Sequence, residues 1–142
     1  MLLKCKKNSE CSSAAPPLSL FFLIKENNDT LPLSILESVK MSYIVGGKKN
    51  YIYYLGPAID YYANEGILVT NSIAELITQN DIQTFFLEYP NSNTVDTLNI
   101  QCFPPTENTG CQFKWGNIKF NGQSAQIDTS FKYQPVYIFN KR

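Results

Sequence analysis

Apolar residues along the chain recur in short alternating runs separated by turn residues, the period-two pattern of half-buried strands. From Asp81 onward Gln83, Phe85, Leu87 and Tyr89 fall on one face, with Ile82, Thr84, Phe86 and Glu88 on the other. Pro90-Asn91-Ser92-Asn93 turns the chain. Val95 to Phe103 then continues with Leu98, Ile100 and Cys102 on a core face, opposite Val95, Thr97, Asn99 and Gln101. Upstream, Leu18 to Ile24 is a continuous apolar run that reads as a buried strand, followed by a polar turn over Lys25 to Thr30. Ser38 to Val45 and Tyr51 to Leu55 pair as a hairpin around Gly46-Gly47-Lys48-Lys49-Asn50, where two glycines take positive φ without a Cβ clash. Asn121-Gly122 is the strongest two-residue hairpin signal, joining Ile118-Lys119-Phe120 to the run Ala125, Ile127, Thr129, Phe131, Tyr133. A last strand, Val136 to Phe139, follows Pro135. Gly56-Pro57 is expected to break a strand, Tyr61 to Gly66 to form a loop, and Ile67 to Ile77 to supply a short strand and one or two helical turns.

No heptad, long amphipathic helix or fixed-period repeat interrupts this pattern. Connections this short favour antiparallel pairing over helical crossovers. The expected fold is therefore α+β and β-rich, mainly antiparallel, with hairpins and at most a short helix. A chain of 142 residues supports one domain, read as 18–142, preceded by an extended segment 1–17 that carries Cys5 and Cys11 and ends in Pro16-Pro17. The basic start lacks the apolar run of a signal peptide, and the longest apolar stretch is too short to cross a bilayer as a helix.

Composition narrows the chemistry. Twelve Lys and Arg balance twelve Asp and Glu, so neither nucleic acid nor an anionic lipid surface is favoured as a partner. The absence of His removes the usual nucleophile activation, general base and zinc ligand. The acids, Asp81, Glu88, Asp96 and Asp128 among them, are scattered and read as solvated. Gly46-Gly47-Lys48-Lys49 lacks the order of a phosphate loop, and no calcium-hand loop is present. No catalytic, cofactor-binding or metal residue is assigned, and an enzyme is not expected.

Four cysteines fall into two sequence-local pairs, Cys5 with Cys11 and Cys102 with Cys111, which suggests two small disulfide-closed loops in an oxidising compartment. A four-thiolate zinc site competes, without the short Cys-x-x-Cys knuckle it favours, and so does the reading of unpaired apolar thiols in a core. Tyrosines cluster at Tyr43, Tyr51, Tyr53, Tyr54, Tyr61 and Tyr62. Such rings stack a sugar or base, or pack across a hairpin and at an interface. Tyr53, Tyr54, Tyr61 and Tyr62 are taken as candidate interaction residues. Trp115 joins them as a binding hot spot, against the alternative of a core anchor.

The order of segments resembles the globular domain of type IV minor pilins and type II secretion pseudopilins, J-type and W-type especially. The matching elements are Ser38 to Val45, Tyr51 to Leu55, Gly66 to Leu76, Phe85 to Tyr89 and Val95 to Ile100. The resemblance implies a noncatalytic assembly subunit in the periplasm or at the cell surface, with other pilin or pseudopilin subunits as partners. It also implies antiparallel sheet packed on a long N-terminal helix, and a Cys102 to Cys111 bridge suits the surface loops of such domains. Neither the family's leader nor its apolar helix with a glutamate is present here, so membrane contact is expected only through such a helix in a longer gene. The alternative is a secreted binding module or adhesin that recognises a carbohydrate or a protein.

Overall fold

A computed structural model describes Cys11 and residues 18–58, 66–131 and 134–141. In chain order the strands are β1 (Leu20–Glu26), β2 (Asp29–Thr30), β3 (Lys40–Val45), β4 (Lys48–Tyr51), β5 (Leu55–Pro57) and β6 (Leu68–Thr70). There follow β7 (Thr84–Glu88), β8 (Val95–Phe103), β9 (Lys114–Phe120), β10 (Gln123–Ser124), β11 (Gln126–Asp128) and β12 (Val136–Lys141). Helices α1 (Leu33–Leu36) and α2 (Ile73–Asn80) are both short, so the expected β-rich α+β class is what forms. One sheet runs β11-β12-β1-β6-β5 with β2 appended to β1, and the other runs β10-β9-β8-β7-β3-β4. Pairing is antiparallel with one exception among the described residues: β1 lies parallel to β12, Phe22 opposite Tyr137 and Glu26 opposite Lys141.

The two sheets close on each other through inward columns. Leu20, Phe22 and Ile24 of β1 and Tyr137 and Phe139 of β12 meet Phe85 and Leu87 of β7 and Leu98 and Ile100 of β8. Phe139 joins the layers, its ring 5.0 Å from Phe22 in its own sheet and stacked 5.1 Å from Phe120 in the other. Leu23 and Val136 project from the opposite face of the first sheet into a second small cluster with Ala58 and Ile67. β1 is thus apolar on both sides because both sides are covered, which is why its sequence shows no alternation.

Three hairpins turn on two residues with positive φ, the primed geometry that matches strand twist. They are Asn27-Asn28 (φ 55° and 68°), Gly46-Gly47 (58° and 79°) and Asn121-Gly122 (51° and 84°). The Gly46-Gly47 turn is tighter than the five-residue loop expected, since Lys48 to Asn50 already belong to β4. The return segment also differs from expectation. Tyr51 closes β4, Ile52 turns into the core with its N–H on the Met41 carbonyl at 2.8 Å, and the chain crosses to the other sheet as β5. Gly56-Pro57 extends that strand instead of breaking it. β5 is an edge, and the Ala58 N–H to Ile67 carbonyl bond at 2.8 Å sets a register in which Pro57 has no donor to lose. The chain likewise changes sheets at Ala125, whose N–H reaches the Ile118 carbonyl at 2.9 Å, so the hairpin partner of β9 is β10, and the run expected there from Ala125 onward enters the other sheet as β11.

Both expected disulfide pairings are corrected. Cys11 bonds to Cys111, with Cα atoms 5.4 Å apart, and Cys102 is a buried free thiol. Parity decides this. Cys102 lies on the inward column of β8 with Leu98 and Ile100, whereas Cys111 follows a short 3-10 turn (Glu107–Thr109) in a surface loop at φ 62°. Cys5 lies outside the described residues, and the Cys11 to Cys111 bond leaves Cys11 no capacity to pair with it.

Burial pushes the Cys102 thiol up to about 11, a nearby Lys114 backbone hydrogen bond opposing it and the Glu75 charge adding to it. Alkylation of Cys102 at pH 8 is therefore expected to run at least about a hundredfold slower in the native protein than in urea, read by mass spectrometry. Equal rates would place the thiol at the surface.

Candidate functional site

Two places combine exposed or polar side chains in a defined arrangement. The first follows from the crossing between sheets. With Ile52 turned inward, Tyr53 and Tyr54 are left outside, 94% and 63% exposed. Their rings meet edge to face, centroids 6.2 Å apart, beside a shallow depression formed with Leu55, Gly56, Pro57 and Val69. Tyr51 is engaged differently. Its hydroxyl donates to Glu88 Oε1 at 3.2 Å, and its ring lies 5.6 and 5.7 Å from the Lys40 and Lys49 ammonium groups. Glu88 also accepts from Lys49 Nζ at 2.9 Å and Ser42 Oγ at 3.2 Å. The Lys49 bond holds the Glu88 carboxyl below its ordinary range, with Ser42 and Tyr51 assisting against partial burial.

Of the other candidates, Tyr43 packs edge-on against Phe85. Trp115 is half-buried against the core, opposite Cys102. Tyr61 and Tyr62 lie outside the described residues. The structure therefore groups Tyr53 with Tyr54 and separates both from Trp115.

The second place was not singled out in the sequence. The inward columns end at one mouth of the sandwich in polar residues: Ile24 is followed by Glu26, Phe139 by Lys141, Leu87 by Tyr89, and Leu98 is preceded by Asp96. Asp96 is only 6% exposed. Its Oδ2 accepts from Tyr89 Oη at 2.6 Å and Lys141 Nζ at 2.8 Å, and its Oδ1 from Asn121 Nδ2 at 2.9 Å. Asn121 serves twice, because its Oδ1 also takes the Thr97 N–H at 2.8 Å while its backbone makes the hairpin turn. Lys141 Nζ stands 3.8 Å over the Tyr89 ring, a cation held by a carboxylate and an aromatic face.

Burial alone raises the Asp96 carboxyl, and the bonds from Lys141, Tyr89 and Asn121 outweigh it, so the group titrates below its usual range. Burial, then the hydrogen bond to Asp96, and then the charges of Asp96 and Glu26 push the Tyr89 phenol upward, keeping it a donor. Above this floor is a cavity of about 250 Å³, walled by Leu31, Ile35 and Pro90, with Ser92, Thr94 and Glu26 also lining it. The Asp96 oxygens take three hydrogen bonds, an arrangement that suits a structural anchor. Parity was the available signal: Asp96 shares the inward face with Leu98 and Ile100, and only its charge made it read as solvated.

Among the described residues no helix is long and apolar enough to cross a membrane, and no three metal-ligating side chains converge. No family model, curated protein or solved structure matches the chain.

Proposed function

We propose that this is a noncatalytic interaction domain that works outside the cytoplasm and holds a protein partner on the Tyr53–Tyr54 surface. The exposure of that ring pair carries the reading. Two adjacent tyrosines turned mostly to solvent add little to the core, whereas at an interface they supply large, stiff, amphipathic contact area. The Cys11 to Cys111 disulfide supports an oxidising compartment. A subunit of a pilin-like assembly is one setting for such a domain. There a long helix would have to pack outside the sandwich, because each sheet already covers the other's inner face.

A photoreactive side chain carried in place of Tyr53 tests the proposal in the protein's native cells. A discrete protein adduct is expected from that position and none from the same group in place of Ile127, an exposed residue of β11. Identical adducts at both positions, or none at Tyr53, would count against it. Binding on a glycan array that disappears in Tyr53→Ala/Tyr54→Ala would instead establish a carbohydrate-binding module.

A further inference from the structure

We infer that the cavity at the mouth of the sandwich is a binding site for a small zwitterion, an aliphatic α-amino acid in size and charge. Glu26 and Lys141 are register partners on parallel neighbouring strands, and such strands run about 4.8 Å apart with partner side chains on the same face. Opposite charges so placed would ordinarily pair with each other. Here Lys141 turns across the sandwich to Asp96, and the Glu26 carboxylate makes no hydrogen bond or ion pair among the described residues. An ammonium has three N–H donors. One of Lys141's goes to Asp96 Oδ2 and the Tyr89 ring covers another side, so a donor direction is left on a group whose side chain is 12% exposed and lines the cavity.

The floor therefore presents a spare cationic donor next to an unpaired carboxylate. A simple anion would meet Lys141 but also the negative charges of Glu26 and Asp96. A simple amine would meet Glu26 and Asp96 but leave the spare donor of Lys141 unanswered. A molecule carrying carboxylate and ammonium on adjacent atoms satisfies both, with its carboxylate on Lys141 and its ammonium on Glu26. One part of the wall suits a short apolar tail, since Leu31, Ile35 and Pro90 lie together in a lining that also holds Ser92 and Thr94. Its volume of about 250 Å³, room for roughly eight waters at about 30 Å³ each, admits an aliphatic amino acid with space to spare.

The probes are L-leucine, 4-methylpentanoate, which lacks the ammonium, and 3-methylbutylamine, which lacks the carboxylate. Amide shifts of the labelled protein are followed up to about 20 mM, enough to approach saturation for a millimolar site. L-leucine is expected to give saturable shifts confined to the cavity segments around Glu26, Leu31, Pro90 to Thr94 and Lys141, and to bind at least about tenfold tighter than either analogue. Glu26→Gln, an exposed position whose replacement leaves the core intact, is expected to weaken L-leucine at least about tenfold and to leave 4-methylpentanoate bound no more weakly. No saturable shift with any probe would overturn the inference. Equal binding of L-leucine and one analogue, or an unchanged affinity in a folded Glu26→Gln protein, would do the same.

Discussion

Replacing Asp96 by alanine is expected to cost the fold about 3 to 5 kcal/mol, the range for removing one partner of a buried ion pair. The loss exceeds one contact because three donors converge on this carboxylate. Without it the Lys141 ammonium keeps its enclosed position and loses its counter-charge, and the Tyr89 hydroxyl and Asn121 amide lose their acceptor. Lys141→Met should cost less, since Asp96 then retains two donors. The double change Asp96→Ala/Lys141→Met should recover the part of the loss that comes from the unpaired ammonium, leaving the cost of the unanswered Tyr89 hydroxyl and Asn121 amide. Urea unfolding of the four proteins at pH 7 measures this, and independent, additive losses would show that the pair does not act as a unit. The same carboxylate sets an acid limit. Its folded pKa is depressed, so its contribution is fully present above the unfolded value of about 3.9 and is lost as pH falls through the lower folded value. Stability measured between pH 5 and pH 2.5 should fall more steeply in the native protein than in Asp96→Asn.

Opening the Cys11 to Cys111 bond is the second large effect. The bond closes a separation of 100 residues, for which chain entropy predicts up to about 4.7 kcal/mol and typical measured values are about 2 to 4. Cys111→Ser is expected to lower the melting temperature by roughly 10 °C for a chain of this length. Cys11→Ser should match it, and the double variant should add nothing, since each single change already removes the whole bond. Reduction of the native protein should reproduce the same temperature. Cys102→Ala should keep the bond, detected as a linked peptide carrying Cys11 and Cys111 in a non-reducing digest. A linked peptide carrying Cys102 would overturn the assignment.

The strands and their inward faces were legible where polar and apolar residues alternate. Phe85, Leu87 and Tyr89, and likewise Leu98, Ile100 and Cys102, point inward as their parity requires. Asn121-Gly122 and Gly46-Gly47 were legible as turns for a backbone reason, their need for positive φ. The crossings between sheets were not. Nothing polar interrupts Tyr51-Ile52-Tyr53-Tyr54-Leu55, so one strand and two strands in different sheets share the same pattern. Asn27-Asn28 was seen as polar but not as a hairpin tip, because Asn tolerates the left-handed region less visibly than Gly. The disulfide was misread because closeness in sequence stood in for closeness in space, although the parity that put Cys102 in the core already opposed a surface bridge. At the Asp96 cavity the same parity was overruled by charge. A carboxylate that meets three donors is no longer the solvated acid its residue type suggests, and two of those donors, Asn121 and Lys141, lie 25 and 45 residues away in the chain.

The parallel ladder between β1 and β12 also constrains when the protein can acquire its structure. The first described strand is completed by the last, so during synthesis β1 emerges with one flank unsatisfied and must wait for more than a hundred further residues. Until Phe139 has left the ribosome, the ring stack that joins the layers has no central member. Hairpins such as β3–β4 are local and form early, but closure of the first sheet is a long-range event of high contact order, expected to be the slow step. Nascent chains therefore carry an exposed strand of Leu20, Phe22 and Ile24 throughout elongation. That is the interval in which holdase binding, or mispairing with a neighbouring chain, competes with the native fold.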